Sequence, residues 1–419
     1  MPSRANRLGS TARCGPVRPV SPENDPMTDP ATDPFAEDDD LRAIREAVAA
    51  LCAEFPGAYW REKDRARAYP TEFVEALTRA GWLACLIPEA YGGAGLGLRH
   101  AAAILEEIHR SGGNAAACHA QMYVMGTILR HGSEAQKRTY LPRIADGSLR
   151  LQAFGVTEPS SGTDTLSLRT TATRDGDHYI VNGQKVWTSR AEHSDLMLLL
   201  ARTTPKDQVA KKGLGLSTFL VDMREAAGAG LEIRPIRAMV NHSTTEVFFD
   251  GLRVPAENLI GEEGMGFRYI LDGMNAERVL IAAECVGDAR WFIETARAYV
   301  SGREVFGRPI GANQGVQFPI ARAYAQTEAA DLMVRKAAAA FDAAGAIGPE
   351  ANMAKLLASE AAWAAGEACL QSHGGFGFAE DYDVERKWRE TRLYQVAPIS
   401  TNMILSYLAE KVLGMPRSY

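Results

Sequence analysis

The sequence predicts a multidomain α+β protein: an N-terminal helical domain, a middle antiparallel β-domain and a C-terminal helical bundle. Three observations predict it. Apolar residues recur three or four apart up to about residue 149, and β-branched residues then gather around Asp-Gly and Asn-Gly pairs up to about Val254. From Gly266 onward, long alanine-rich stretches favour helix and close packing. The boundaries expected are a tail over 1–37, helices over 38–150, strands over 151–262 and the bundle over 263–419.

The tail is rich in proline, serine, aspartate and arginine and has no apolar periodicity, so it is expected to be disordered. Its first eighteen residues carry Arg4, Arg7, Arg13 and Arg18 with no acid, which suggests a transit peptide. An upstream start codon, with the natural start at Met27, is the simpler expectation. In the first helical domain, Leu41, Ile44, Val48 and Leu51 mark one apolar face and Phe73 and Leu77 another. Breaks at Pro56-Gly57, Pro88 and Gly92-Gly93 predict four to six helices.

In the middle domain, Thr170 to Gly183 reads as strands around the Asp175-Gly176 turn, with Asn182-Gly183 as a second hairpin turn. Leu196 to Ala201, Ser217 to Asp222 and Thr245 to Phe249 add strands. Ala321 to Ala344 and Ala351 to Ala368 read as bundle helices, and no internal repeat is found.

Composition excludes several classes of function. The 419 residues are 46% hydrophobic and 23% charged, an ordinary globular balance with enough apolar surface for a sizeable core. The net charge is −6, from 46 basic and 52 acidic residues, and no long basic block follows the tail, so nucleic acid is not an expected partner. Cys14, Cys52, Cys85, Cys118, Cys285 and Cys369 form no C-x-x-C and read as reduced core thiols, which fits a cytoplasmic location. The eight histidines show no metal-ligand spacing, and the longest apolar run is far short of a bilayer span, so neither a metal nor a membrane anchor is expected.

The most informative residues are Val156-Thr-Glu-Pro-Ser-Ser-Gly-Thr-Asp164 and Asn182-Gly-Gln-Lys-Val-Trp-Thr-Ser189. Glycine and short hydroxyl residues let backbone amides and hydroxyls approach a planar, polar-edged ring, and a tryptophan supplies a flat face beside it. These are the demands of a flavin. The glycines of Gly93-x-Gly95-x-Gly97 lack dinucleotide spacing and no βαβ pattern surrounds them.

The two segments resemble the T-E-P-x-x-G-S/T-D and N-G-x-K-x-W-I-T stretches of the acyl-CoA dehydrogenase family. Three more stretches follow in family order: Pro88-Glu-Ala-Tyr-Gly-Gly-Ala-Gly95, Arg303-Glu-Val-Phe-Gly-Arg-Pro309 and Gln371-Ser-His-Gly-Gly-Phe-Gly377. The resemblance covers roughly residues 40 to 415 and implies the same three-domain plan, with a four-helix bundle at the C-terminus.

It further implies FAD as cofactor. Phe154, Val156, Thr157 and Thr163 would line the isoalloxazine and pyrophosphate, with Trp187, Thr188 and Ser189 on the other side of the ring. Thr188-Ser189 replaces the usual Ile-Thr and keeps a hydroxyl. Trp187 also has a plainer reading, as a core side chain capping a strand. Arg303, Phe306 and Gln314 would reach the FAD of a neighbouring subunit, and Gln371, Gly374 and Gly375 would approach the same cofactor. Ser400 and Asn402 complete the set. A homotetramer, or a homodimer, follows as an expectation.

The implied reaction removes an α-proton from an acyl-CoA thioester and passes a β-hydride to flavin, with an electron-transfer flavoprotein as acceptor. A short or branched acyl chain is favoured, with a place in fatty-acid or branched-chain amino-acid breakdown. The reaction needs a buried carboxylate as base. Many members carry it in a Y-E-G-T stretch near the C-terminus, but here Pro398 stands at that position and Glu390 is the nearest acid. Other members, isovaleryl-CoA dehydrogenase among them, use the glutamate of an L-D-x-E-R stretch. Leu271-Asp-Gly-Met-Asn-Ala-Glu277-Arg278 matches it and makes Glu277 the candidate base.

Glu277 could instead form a fixed ion pair with Arg278 or another arginine, and Glu284 or Asp288, on about the same helical face, could be the base. Thr163, Asn275 and Arg278 match positions that contact the CoA or thioester. Met122, Tyr123 and Met125 read as pocket wall or as plain core. Two other functions remain open: a flavin-dependent oxidase or monooxygenase of the same fold, and a redox-inactive acyl-CoA-binding homologue.

Overall fold

A computed structural model describes residues 38–344 and 346–417; the expected disordered tail, Cys14 and Met27 lie outside the described residues. Helices come first: α1 (Asp39–Cys52), α2 (Gly57–Ala66), α3 (Thr71–Arg79), α4 (Leu98–Arg110), α5 (His119–His131) and α6 (Glu134–Ala145). Their ends follow local chemistry. Asp38 caps α1 by accepting from the Leu41 amide at 2.9 Å, and Ser133 and Gln136 form a reciprocal capping box on α6. The α1 face read from the sequence buries Ile44 and Val48, together with Cys52.

The middle region holds β1 (Leu151–Gly155), β2 (Thr171–Asp175), β3 (His178–Ser189), β4 (Leu196–Arg202) and β5 (Leu216–Asp222). The short α7 (Met223–Ala226) precedes β6 (Leu231–Pro235), β7 (Thr244–Pro255) and β8 (Leu259–Ile260). The sheet order is β6-β7-β3-β2-β4-β5-β8, and most pairings are antiparallel. Two are parallel: β1 lies along β4, and Thr171 of β2 pairs with Arg202. An all-antiparallel reading misses them, because a parallel neighbour arrives from far away in the chain without a local turn to announce it.

The Asp175-Gly176 turn joins β2 to β3 as expected, but Asn182-Gly183 makes no hairpin. The strand β3 runs straight through it with a bulge against β7. Gly183 has φ +145°, and a Cβ there would lie 2.6 Å from the Thr170 hydroxyl, so the glycine serves a close backbone crossing. Asn182 accepts from the Gly251 amide at 2.8 Å on the neighbouring strand.

Helix returns with α8 (Gly266–Gly302), then a two-stranded hairpin of β9 (Glu304–Val305) and β10 (Arg308–Pro309). After it come α9 (Gln314–Asp342), α10 (Gly348–His373), α11 (Val384–Arg392) and α12 (Thr401–Tyr407). Three long helices, α8, α9 and α10, pack together, with α11 against α10. The centre of α8 also packs on α4 and α5, which buries every residue from Ala276 to Ala289. A shared core therefore runs through both helical regions, and a second one lies within the sheet.

Cys52, Cys85, Cys118, Cys285 and Cys369 are free and buried, and burial pushes their thiols above the ordinary value. Among the described residues no helix is long and apolar enough to cross a membrane, and no His, Cys, Asp and Glu grouping could hold a metal ion.

Candidate active site

Two sequence motifs meet through a pair of residues to which sequence reasoning gave no role. Lys185, fully buried in β3, donates to Glu158 at 2.9 Å and to the Val156 carbonyl at 3.1 Å. Glu158 also accepts from the Arg169 and Thr170 amides at 2.6 and 2.9 Å, and the Val186 amide donates to the Thr157 carbonyl. Burial pulls Lys185 down to about 8, while the Lys185 charge holds Glu158 below the usual carboxylate range despite its own burial. The glutamate of T-E-P and the lysine of N-G-Q-K thus staple the two segments side by side.

At the end of this staple Trp187 is 57% exposed and has φ +59°, which removes the core-capping reading. A bulky residue held in the left-handed region is the kind of strain found where an element serves a ligand. Thr188 beside it is buried, and its hydroxyl has no partner. The Ser189 hydroxyl accepts from Asn241 Nδ2 at 2.7 Å. Phe154, Val156 and Thr157 are half-buried along the end of β1, and Thr163 is exposed. Phe154 meets Tyr123 edge-on, with ring centroids 5.8 Å apart.

A second group gathers elsewhere. Arg303, Gln371, Gly374 and Gly375 line one cavity of about 450 Å³ between the end of α8 and the end of α10. No residue of the middle region lines it. Phe306, at the tip of the β9–β10 hairpin, is fully exposed with φ +55°, and Gln314 is exposed at the start of α9. Ser400 caps α12, Asn402 is exposed on it, and Lys355 Nζ holds the preceding loop through the Ile399 carbonyl at 2.8 Å.

The candidate base lies on the buried face of α8. Glu277 is 6% exposed and makes no ion pair within 4 Å among the described residues, so the fixed-pair reading is not what the structure has. Arg278 donates instead to Asn275 at 2.8 Å. Burial pushes Glu277 up to about 7, even though the Tyr123 hydroxyl, Arg278 and Arg190 each draw it partly back. That value suits proton abstraction near neutrality.

Both alternative bases are occupied. Glu284 sits 3.1 Å from His119; burial would raise its carboxyl, but the His119 ring outweighs burial and lowers it. Asp288 is paired with Lys387 and accepts from His109 Nδ1 at 2.8 Å, which together hold it down at about 2 against its burial, and it also accepts from Thr391 at 2.6 Å. The Ala115 amide donates to His109 Nε2 at 3.0 Å, which leaves the ring proton on Nδ1 facing Asp288. Neither acid is exposed at all, so neither reaches a cavity. Glu390 is held by Arg386 at 2.9 Å.

Two residues near Glu277 escaped the sequence reading. Tyr123, grouped there with pocket wall or core, is buried with a hydroxyl that draws the Glu277 carboxyl down, whereas Met122 and Met125 are plain core. Arg190, directly after Ser189, is buried and left-handed at φ +63°. Its only signal in the sequence was an arginine following the tryptophan-hydroxyl stretch.

Comparison with known proteins agrees with this geometry. Residues 38–148, 153–252 and 264–413 match the models for the N-terminal, middle and C-terminal domains of acyl-CoA dehydrogenase. The acyl-CoA dehydrogenase FadE12 of Mycobacterium tuberculosis is 35% identical over 92% of this chain and 99% of its own. The cyclohex-1-ene-1-carbonyl-CoA dehydrogenase of Syntrophus aciditrophicus is 36% identical over 90% of this chain and 91% of its own. A solved glutaryl-coenzyme A dehydrogenase in complex with glutaryl-CoA is 31% identical, with a TM-score of 0.85, covering 92% of this chain and 98% of that one.

Proposed function

The chain belongs to the acyl-CoA dehydrogenase family of FAD-dependent oxidoreductases, and on that footing we propose that Glu277 is the base that removes the α-proton of a short or branched acyl-CoA. One observation carries the reading. Glu277 is a buried carboxyl with no ion pair among the described residues, poised at about 7, in a chain that has Pro398 where many members keep their base.

The residues fit the flavin. The outward Trp187 face, the half-buried Ser189 hydroxyl beside it and the glycine-edged cavity at Arg303 offer a ring platform, a polar edge and an anion clamp. Phe154, Val156, Thr157, Thr163, Trp187, Thr188 and Ser189 would hold the ring side. Arg303, Phe306, Gln314, Gln371, Gly374, Gly375, Ser400 and Asn402 would hold a neighbouring subunit's cofactor. Because these two sets line different parts of the chain, a homodimer or homotetramer completes each site.

FAD held by these residues would supply the acceptor for the hydride leaving the β-carbon. The chain's own residues do the rest. Near neutrality a substantial fraction of Glu277 is ionised and able to take the proton, and its burial keeps water from competing. Asn275, Arg278 and Thr163 orient the thioester portion. The bulk of the buried Tyr123, with the His119 ring stacked on it, supports a short or compact acyl group. An electron-transfer flavoprotein then reoxidises the enzyme.

The test is anaerobic bleaching of the bound flavin by a panel of straight and branched acyl-CoAs, run on the natural protein and on Glu277→Gln. Rapid bleaching by one class, with binding but no bleaching in the variant, supports the reading. Equal bleaching by the variant removes Glu277 from the role. Rapid reoxidation of the reduced flavin by air would instead favour an oxidase.

A further inference from the structure

The segment that joins β6 to β7 is held from both helical regions. Asp64 of α2 lies 2.8 Å from His242 Nε2 and 2.7 Å from the Arg389 guanidinium of α11. Arg389 also donates to the Met239 carbonyl at 2.9 Å, and Arg67, just after α2, donates to the Ala238 carbonyl at 3.1 Å. The loop closes on itself as well, since the Thr244 amide donates to the Asn241 carbonyl at 3.1 Å. Asn241 takes φ +53°, a left-handed conformation that asparagine tolerates better than most side chains.

This loop pins the end of β3 at three successive residues. Thr245 donates to the Thr188 carbonyl at 2.7 Å, Asn241 Nδ2 donates to Ser189 Oγ at 2.7 Å, and the Arg190 amide donates to the Ser243 carbonyl at 2.6 Å. The middle contact differs from the other two because it reaches a side chain. A hydroxyl that accepts from an amide keeps its own hydrogen to give away. Among the described residues the Ser189 hydroxyl makes no other hydrogen bond, so that hydrogen is left for a partner from outside the chain. Ser189 is half-buried, two residues beyond the exposed Trp187.

We propose that Asn241 is a positioning residue for the cofactor: it orients the Ser189 hydroxyl as a donor to the polar edge of the oxidised flavin, and the junction of Asp64, His242 and Arg389 keeps Asn241 in place. This rests on Ser189 lying on the ring side of the proposed flavin site. The carbonyl oxygens and unprotonated ring nitrogens of an oxidised flavin are acceptors, so a hydroxyl serves them only with its hydrogen turned towards them. A serine hydroxyl left to itself rotates and spends part of its time with a lone pair facing the acceptor. Asn241 removes that choice, because its amide nitrogen can only donate.

The test is made on the flavin-loaded natural protein, Asn241→Gly, Asn241→Asp, Ser189→Ala and the two double variants. Free FAD is measured by ultrafiltration at a fixed protein concentration, and the visible absorption band of the bound flavin is recorded alongside. Glycine keeps the left-handed backbone and deletes the amide. Aspartate keeps the side-chain volume, so the comparison survives if glycine loosens the loop, but it can only accept and draws the Ser189 hydrogen to itself.

Expected for Asn241→Gly is FAD binding weakened about threefold to tenfold, the worth of one hydrogen bond, with a shifted visible band. Asn241→Asp weakens it further. Ser189→Ala shows a loss similar to that of Asn241→Gly. In the Ser189→Ala background Asn241→Gly then adds nothing, and Asn241→Asp adds less than it does alone, since a residue that acts through another is not additive with it.

Fully additive losses would leave Asn241 a purely structural residue and overturn the proposal. An unchanged affinity and band in both Asn241 variants, while Ser189→Ala alters them, overturns it too and leaves Ser189 at the ring. If Ser189→Ala itself changes neither, Ser189 is not at the flavin, and the ring-side reading falls together with the proposal.

Discussion

Glu277 and Glu284 stand seven residues apart on one buried face of the same helix, yet their carboxyls are held in opposite states. Burial alone pushes both up. For Glu277 burial wins, and the group rises to about 7; for Glu284 His119, 3.1 Å away, reverses the sign. Two turns of helix thus separate a carboxyl suited to move a proton from one fixed as a charge.

Glu277→Gln is expected to slow anaerobic flavin bleaching by roughly 10²–10⁴-fold, the usual contribution of a positioned general base. Flavin content and acyl-CoA binding should persist, because the amide keeps the shape of the side chain. Stopped-flow absorbance with a titration of ligand separates the two effects.

Tyr123→Phe removes a hydroxyl that favours the ionised form of Glu277. The carboxyl should then rise further above about 7. A base works only when deprotonated, so the lower limb of the bleaching-rate profile is expected to move to higher pH. Tyr123, Arg278, Arg190 and Glu284 are the titratable groups that act on Glu277, and only the first is altered. An unmoved limb would show that the hydroxyl has no hold on the base.

Asp288 is a structural prediction. With its neighbours it is held at about 2, below the roughly 3.9 of an unfolded aspartate, so its contribution is present above about 4 and is lost as pH falls through that window. Asp288→Asn leaves Lys387 buried beside a neutral amide, at an expected cost of about 3–5 kcal/mol. Denaturant unfolding at pH 7 measures it, and the difference from the natural protein should shrink in acid.

Arg303→Ala should weaken FAD binding about tenfold to a hundredfold, the worth of a charge-assisted contact to a pyrophosphate. Since the cavity that holds Arg303 contains no residue of the Trp187 segment, flavin retention should also fall on dilution, in step with subunit dissociation. Ultracentrifugation with detection at the flavin band follows both together.

Gly287→Ala tests the crossing of α8 over α4. A methyl group there would collide with the Glu106 carbonyl and approach the His109 Cβ to 2.8 Å. Overpacking of this kind costs about 1–3 kcal/mol, read as a lowered thermal midpoint with unaltered flavin spectrum.

Much of this molecule was legible before any coordinates. The α, β, α order, the apolar faces of Ile44 and Val48 and the alanine-rich bundle helices all follow from periodicity, because burial of one face imposes its spacing on the chain. The two segments proposed to hold the flavin stood out because a ring approached by backbone demands glycine and small hydroxyls in a fixed order. Glu277 could be named because a match to one short stretch coincided with a proline at the other candidate position.

What the chain could not announce was who faces whom. Asn182-Gly183 has the chemistry of a hairpin turn, and only the crossing of Thr170 over that backbone makes it a bulge. Glu277, Glu284 and Asp288 are equivalent acids by spacing; their neighbours come from α4, α5 and α11, more than a hundred residues away, and those neighbours set each protonation state. Local order prescribes elements because the forces behind it act between residues a few positions apart. Protonation and unpaired charge belong to the packed interior, where low polarity and distant chain segments meet.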